Sequence, residues 1–295
     1  MLGTKVVNRK VLMQNEYSPS RVLVAQSIPQ RFTVSPADTY IDIYTEAERS
    51  AIVQKYKTPN LFNGPCVRMD ALVDGYCALS PVMFYDFLCC NIVGFHNRDV
   101  LAWPKLEESL RKYGKLDTFE KVLNVRELPN IIGTSTLLHD VNNEYLLVER
   151  NTSVSVGSGL FACTSSGSMD VDDMSYENPI VGCGLRELKE ELNLNCNLAV
   201  EGVVMPIQKM QPIVLLTGMV HRPWRELLPT MYNGVDFSKE NKRVLIVPKS
   251  DLLALISMYK FTDAASFHIF FEAGGNRDSW RKVSGTFVNV NQYYV

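Results

Sequence analysis

Apolar and polar positions change rhythm near residue 128 of this chain. Before that point, Val22-Leu23-Val24 reads as a short strand, and Thr45-Glu46-Ala47-Glu48 opens a helix with capping-box chemistry. Each side chain of such a box covers a backbone amide that the first turn leaves without a partner. That helix is expected to end near Pro59. Residues 80 to 93 are apolar and read as helical, and Leu106 to Tyr113 reads as a surface helix stopped at Gly114. The stretch Asn124 to Asn130, closed by Pro129, is the best boundary, dividing the chain into units 1–128 and 129–295.

Beyond the boundary the period shortens. Ile131 to Leu138 and Tyr145 to Glu149 are strand-like runs joined by Asp140-Val141-Asn142-Asn143, residues suited to a hairpin turn. Leu160 to Thr164 adds a strand, and Ser165-Ser166-Gly167-Ser168 with the acidic stretch after it reads as loop. Asn178-Pro179 supplies an N-cap and a first-turn proline for the next helix. Val200 to Met205, Pro212 to His221 and Arg243 to Val247 are further strands, and Ser250 is placed to cap a final helix through Leu252, Leu255 and Ile256.

Composition narrows the class. The 295 residues are 46% hydrophobic and 21% charged, which excludes disorder as a general description. Lys and Arg number 30 against 32 Asp and Glu, so the basic excess of a phosphate-backbone binder is missing and nucleic acid is not the expected partner. The seven cysteines form no C-x-x-C pair, which argues against zinc and for a reduced, cytoplasmic setting. No apolar run approaches bilayer length, and Met1 to Lys10 lacks the apolar core of a secretory signal. Neither a membrane partner nor export is expected.

The chemistry concentrates in Leu185-Arg186-Glu187-Leu188-Lys189-Glu190-Glu191-Leu192-Asn193-Leu194. At 100° per residue, Val181, Leu185, Leu188 and Leu192 form the stripe expected to pack on a sheet. Glu187, Glu190 and Glu191 stand on the adjacent arc, about 5 to 6 Å apart at the Cβ level, a cage for a hard divalent cation, magnesium or manganese. Arg186 lies one turn before Glu190 and can orient its carboxylate. A solvated helix face is the plain alternative. Such a face would avoid Glu187 opposite Glu191, a like-charge pair that costs a few tenths of a kcal/mol and that a metal would relieve.

These residues resemble the Nudix hydrolases, whose box reads G-x5-E-x7-R-E-U-x-E-E-x-G-U with U aliphatic. The second half matches through Arg186, Glu187, Leu188, Glu190, Glu191 and Leu194, with Asn193 where the family has glycine. Asparagine tolerates the left-handed conformation that ends helices. The first half is out of register: counting back from Arg186, the family's glutamate falls on Asn178 and its glycine on Asp172. Gly167 and Glu177 serve instead if the loop carries an insertion. Asp170, Asp172 and Asp173 in that loop read as a solvated acidic turn, with approach to the metal cluster as the alternative. The resemblance covers about residues 129 to 275. It implies an α/β/α sandwich with a mixed sheet, preceded by a smaller α+β domain. A shorter similarity, through Asn60-Leu61-Phe62-Asn63-Gly64-Pro65 and the joint at Leu128-Pro129-Asn130, is to the members that split UDP-sugars and carry an extra N-terminal domain. It implies that residues 1–128 help form the substrate site or a homodimer interface.

The resemblance thus implies a magnesium- or manganese-dependent hydrolase that cuts the pyrophosphate link of a nucleoside diphosphate conjugate, with UDP-sugars ahead of ADP-ribose-like substrates. Glu187, Glu190 and Glu191 would hold metal and Arg186 would orient them. Gly167 would let the loop pass near the phosphates, and Arg150 would either face them or form a structural ion pair. The base is left open between Glu177 and a glutamate of the helix. A Nudix-fold binding or regulatory protein without turnover is the rival reading, motivated by the incomplete box. His96, His139, His221 and His268 are scattered and are read as surface or core residues. No G-x-S-x-G elbow and no P-loop signature is present, so serine-hydrolase and nucleotide-switch chemistry are set aside.

Overall fold

The computed structural model describes residues 22–35, 39–56, 61–152 and 158–275. Met1 to Lys10, Pro59 and Asn60, to which sequence expectations attach, lie outside them. The Thr45 cap forms as expected: Glu48 accepts from the Thr45 amide at 2.7 Å, and Thr45 Oγ1 accepts from the Glu48 amide at 3.3 Å. Helix α1 follows over Glu46–Tyr56.

A three-stranded sheet before residue 128 has the order β2–β4–β3, from Arg31–Val34, Tyr76–Met83 and Pro65–Val73. Strand β4 is antiparallel to β3 and parallel to β2. The β3–β4 hairpin turns at Asp74 and Gly75, with φ of 47° and 81°, the mirror-image turn whose twist suits paired strands. Residues 80–83 are therefore strand, not the expected helix. The apolar run turns helical only at α2, Phe84–Phe87, which passes into a π-helix over Leu88–His96. A run packed on both sides carries no period by which to tell strand from helix. Helix α3, Trp103–Arg111, buries Leu106 and Leu110, and Gly114 closes its end with φ of 66°. Helix α4 is Phe119–Leu123.

A larger mixed sheet has the order β1–β9–β10–β5–β6–β11 among the described residues. These strands are Val22–Val24, Leu198–Pro206, Ile213–Met219, Gly133–His139, Glu144–Arg150 and Asn241–Pro248. In this sheet β10 and β5 run parallel, and β1, from near the start of the described chain, pairs antiparallel with β9. Strands β5 and β6 pair at His139 and Tyr145 and then diverge. The segment that follows fills the opening, with β7 (Phe161–Ala162) on β6 and β8 (Ser165–Ser168) on β5. The serine-rich stretch is thus a strand rather than the expected loop, because only a chain inserted there satisfies the backbone groups exposed by the divergence.

Helices cover both faces of this sheet. Helix α5, Pro179–Leu192, packs Ile180 and Cys183 with Met169, Val203, Val214 and Leu216, a core that continues into Val67, Leu79 and Leu128. Leu188 and Leu192 join Leu138, Leu146 and Trp224 of helix α6, Trp224–Met231. On the opposite face, Ala265 and Ile269 of helix α9, Asp263–Glu272, pack with Leu137, Leu147 and Phe161. This is an α/β/α sandwich with a mixed sheet. Ser250 does not cap a final helix: its hydroxyl contacts the Asp251 carboxylate at 2.9 Å, a 3-10 turn intervenes, and helix α8 begins at Leu252. The last described helix, α9, is capped by Thr262 instead.

Candidate functional site

Asn178 Oδ1 accepts from the Val181 amide at 3.1 Å and starts α5 where the sequence places it. Asn193 ends it in the left-handed region, with φ of 52°. The helix is rolled relative to the expected stripe. Val181 and Leu185 are only half-buried, whereas Ile180, Cys183, Leu188, Leu192 and the side chains of Glu187 and Glu191 face inward. Gly184 explains the roll: a Cβ there would collide with the Leu216 side chain, so glycine lets the helix settle deeply onto the sheet. A period count weights residues by apolarity and cannot register a glycine-lined contact face.

The roll delivers two carboxylates to strand β8. The Glu187 carboxyl lies against the Gly167 backbone so closely that a Cβ at Gly167 would fall within it. Glu191 accepts from the Ser166 amide at 3.1 Å and from Asn241 Nδ2 at 3.3 Å, and it is 1% exposed. Glu190 is 43% exposed and faces outward. It borders an open groove of about 430 Å³ along the flank of α5, where Tyr176, Arg186 and Lys189 also line the wall.

Arg186 joins the cluster to the loop before it. Its Nε and Nη2 donate to the two oxygens of Asp173 at 3.0 and 2.9 Å, and Nη2 also donates to the Ser168 carbonyl at 3.0 Å. Nη1 donates to Glu187 at 2.8 Å and to Glu190 at 3.0 Å. Asp173 belongs to a 3-10 turn, Val171–Ser175, that is not the solvated acidic turn expected. Asp170 and Asp173 cap one another's backbone, and Asp173 is 1% exposed. Strand β3 braces this turn, since the Val67 amide donates to the Met169 carbonyl at 3.0 Å and Cys66 forms an antiparallel β-bridge with Asp170.

Asp173 stands six positions after Gly167, the spacing of the first half of the box, with twelve residues rather than seven before Arg186. The G-x5-acid spacing is the one sequence signal that points to Asp173. Glu177 is exposed at the turn before α5.

Glu240 is the other residue missed. It ends the short helix α7, Phe237–Glu240, and its approach to α5 depends on the Asp236 amide bonding to the Glu190 carbonyl at 3.0 Å. No local pattern announces such a contact. Arg150, at the end of β6, lies 3.5 Å from Glu240 and donates to Ser166 Oγ at 2.9 Å.

Crowding marks the electrostatics. Burial pushes the Glu187 carboxyl up to about 7, opposed by Arg186 and reinforced by Glu190 and Glu240. Burial, with Glu187 and Glu240, also holds Glu191 well above the usual carboxylate range despite Arg150 and the Ser166 amide. Glu240 is raised by burial in the same way, against the pull of Arg150. As the side chains stand, no three acidic, histidine or cysteine groups among the described residues converge into a cation cage. Arg186 occupies the space between Glu187 and Glu190, and Glu191 is turned to β8. The donor set is nevertheless all carboxylate oxygen, the type a hard divalent cation takes, and it is concentrated where like charges are costly without one.

Away from this cluster, no helix among the described residues is long and apolar enough to cross a membrane, and all seven cysteines are free thiols.

No protein-family model matches the chain, and no curated protein matches it in sequence. Solved structures match in part. A MutT protein from Methanosarcina mazei is 17% identical over 52% of this chain and 93% of its own, with a TM-score of 0.35. The NUDIX domain of Shewanella oneidensis NrtR, solved with ADP ribose, is 15% identical over 49% of this chain and 86% of its own, with a TM-score of 0.35. A MutT NUDIX hydrolase from Burkholderia pseudomallei is 15% identical over 47% of this chain and 95% of its own, with a TM-score of 0.31.

Proposed function

We propose that this chain is a divalent-metal-dependent hydrolase that cuts the pyrophosphate bond of a nucleoside diphosphate conjugate. One observation carries the reading: Glu187 of α5 lies against Gly167, Glu191 accepts from the neighbouring Ser166 amide, and Arg186, itself fixed by Asp173, is bonded to Glu187 and Glu190. The carboxylates of Glu187, Glu190 and Glu191 would hold magnesium or manganese, with Glu240 at the margin of the cluster. A bound cation supplies Lewis-acid polarisation of phosphate oxygens. Arg186 orients the ligating carboxylates, Gly167 brings the β8 backbone close enough for its amides to face a phosphate, and Arg150 contributes positive charge beside Ser166. The base that draws the proton from the attacking water is a glutamate of this cluster or Glu177. Strand β3 braces the acidic turn, and the resemblance of the leading region to the UDP-sugar-splitting members puts UDP-sugars ahead of ADP-ribose-type substrates.

The second reading, a binding protein without turnover, is favoured by one feature: Arg186 and the Ser166 amide already satisfy the carboxylates. Incubation with magnesium and a panel of UDP-sugars, ADP-ribose and related conjugates, with phosphate read after an added phosphatase, separates the two. Turnover that disappears in Glu190→Gln and Glu191→Gln but survives Glu149→Gln supports the hydrolase, because Glu149 is engaged by Lys242 and Arg243 away from the cluster. Saturable binding without products would support the other. Magnesium at about a hundred times its Kd should stabilise the folded chain by about 2.7 kcal/mol.

A further inference from the structure

Asn241 opens β11 directly after Glu240 and stands opposite Arg150 of β6. The pairing slips by one residue between Asn241 and Arg243, a bulge of the kind that re-aims a side chain beside a functional site. The segment leading into it is pinned from two sides. The Asn151 amide donates to the Glu240 carbonyl at 2.7 Å and the Asp236 amide to the Glu190 carbonyl at 3.0 Å, so the start of β11 is held against the end of α5.

Asn241 is 3% exposed, and its Nδ2 donates to Glu191 Oε2 at 3.3 Å. The other carboxylate oxygen of Glu191 accepts from the Ser166 amide, so Glu191 is held at both ends. Asn241 Oδ1 is buried and accepts no hydrogen bond among the described residues. Since Nδ2 and Oδ1 share one carbon, Oδ1 lies within about 6 Å of Glu191 Oε2. A buried carbonyl oxygen without a donor is costly, whereas a hard divalent cation takes asparagine carbonyl oxygens together with carboxylates. With Nδ2 committed to Glu191, Oδ1 is the end of the amide left for a ligand.

We infer that Asn241 is a ligand of the divalent cation from outside the α5 run, giving Oδ1 to the ion beside Glu191 while its Nδ2 holds that carboxylate in place. This rests on the hydrolase reading above and deepens it: the buried end of the cluster is closed by a neutral oxygen from β11, which adds a ligand to the crowded glutamates without adding a fourth negative charge.

The test pairs crystals of the full chain grown with Mn²⁺, located by anomalous diffraction, with calorimetric titration of Mn²⁺ into wild type, Asn241→Ala, Asn241→Leu and Asn241→Asp. The ion should lie roughly 2.0 to 2.6 Å from both Asn241 Oδ1 and a Glu191 oxygen. Affinity should fall about tenfold or more in the Ala and Leu variants and be kept in the Asp variant, which retains the oxygen and drops the Nδ2 donor. A residue that only positions Glu191 would instead lose affinity in the Asp variant as in the Ala variant, with the ion out of reach of Oδ1. The inference is overturned by that result, by a water alone on Oδ1, by equal affinity in whichever neutral variant folds, or by a wild type that binds no Mn²⁺. Should neither neutral variant fold, the ion's position in the wild-type crystal decides. If wild type hydrolyses the conjugate panel while the ion sits away from Oδ1, the inference alone fails. If the ion sits on Asn241 and no conjugate is cleaved, the hydrolase reading fails and the ligand stands.

Discussion

Arg186 grips both carboxylate oxygens of Asp173, thirteen residues before it in the chain, at 3.0 and 2.9 Å. Two parallel bonds fix the guanidinium plane, and the same group then aims Nη1 at Glu187 and Glu190. Breaking a buried pair of this kind costs about 3 to 5 kcal/mol. Because Arg186 is 25% exposed, solvent screening reduces this to about 2 kcal/mol. Asp173→Asn should therefore lower the urea midpoint without changing the slope, and turnover should fall with it. Arg186→Lys should keep more stability than Asp173→Asn yet lose turnover, since an ammonium cannot reproduce the fork. Unchanged turnover in both variants would remove Arg186 from the site.

Gly167→Ala places a methyl group where the Glu187 carboxyl lies. Either β8 or the carboxylate must move, at a cost of about 1 to 3 kcal/mol. The expected outcome is a folded protein with kcat/KM reduced at least tenfold and weaker magnesium stabilisation. Wild-type response to magnesium in this variant would show that Glu187 is not a ligand.

Asn193 closes α5 with φ of 52°. Asn193→Ala should cost about 1 to 2 kcal/mol, because a Cβ without a local hydrogen bond is disfavoured in the left-handed region. Asn193→Gly should be near neutral. Denaturation of the two variants side by side measures the difference, and equal losses would contradict the cap.

His268 is fully buried in α9, with Nε2 3.1 Å from Glu201 Oε2 and Nδ1 3.7 Å from Cys163 Sγ. Burial alone would lower its pKa, but Cys163 and Glu201 outweigh it and raise the imidazole to about 9. Folding therefore takes up a proton. The resulting stability is complete below about 6.5, the unfolded value, and is lost as pH rises through 9. At about 1.4 kcal/mol per pKa unit, this amounts to about 1 to 3 kcal/mol. Unfolding free energies from urea titrations at pH 6 and pH 9.5 should differ by that amount in wild type and by much less in Glu201→Gln; parallel losses would refute the coupling.

Sequence by itself determined what nearest neighbours along the chain can decide. The cap at Asn178, the left-handed stop at Asn193, the strands on either side of the Asp140 turn and the three glutamates one helical turn apart all follow from local backbone sterics and helical geometry. The histidines, read as surface or core residues, include one wholly buried in the core. Tertiary structure decided the rest. The roll of α5 came from glycine contacts with the sheet, the conversion of Ser165–Ser168 into a strand from the divergence of β5 and β6, and the choice of Asp173 as the arginine's partner from a turn braced by β3. Glu240 and Asn241 reach the α5 cluster through contacts between segments distant in sequence. Local propensity carries no information about such contacts, because their energy exists only once the chain has closed on itself.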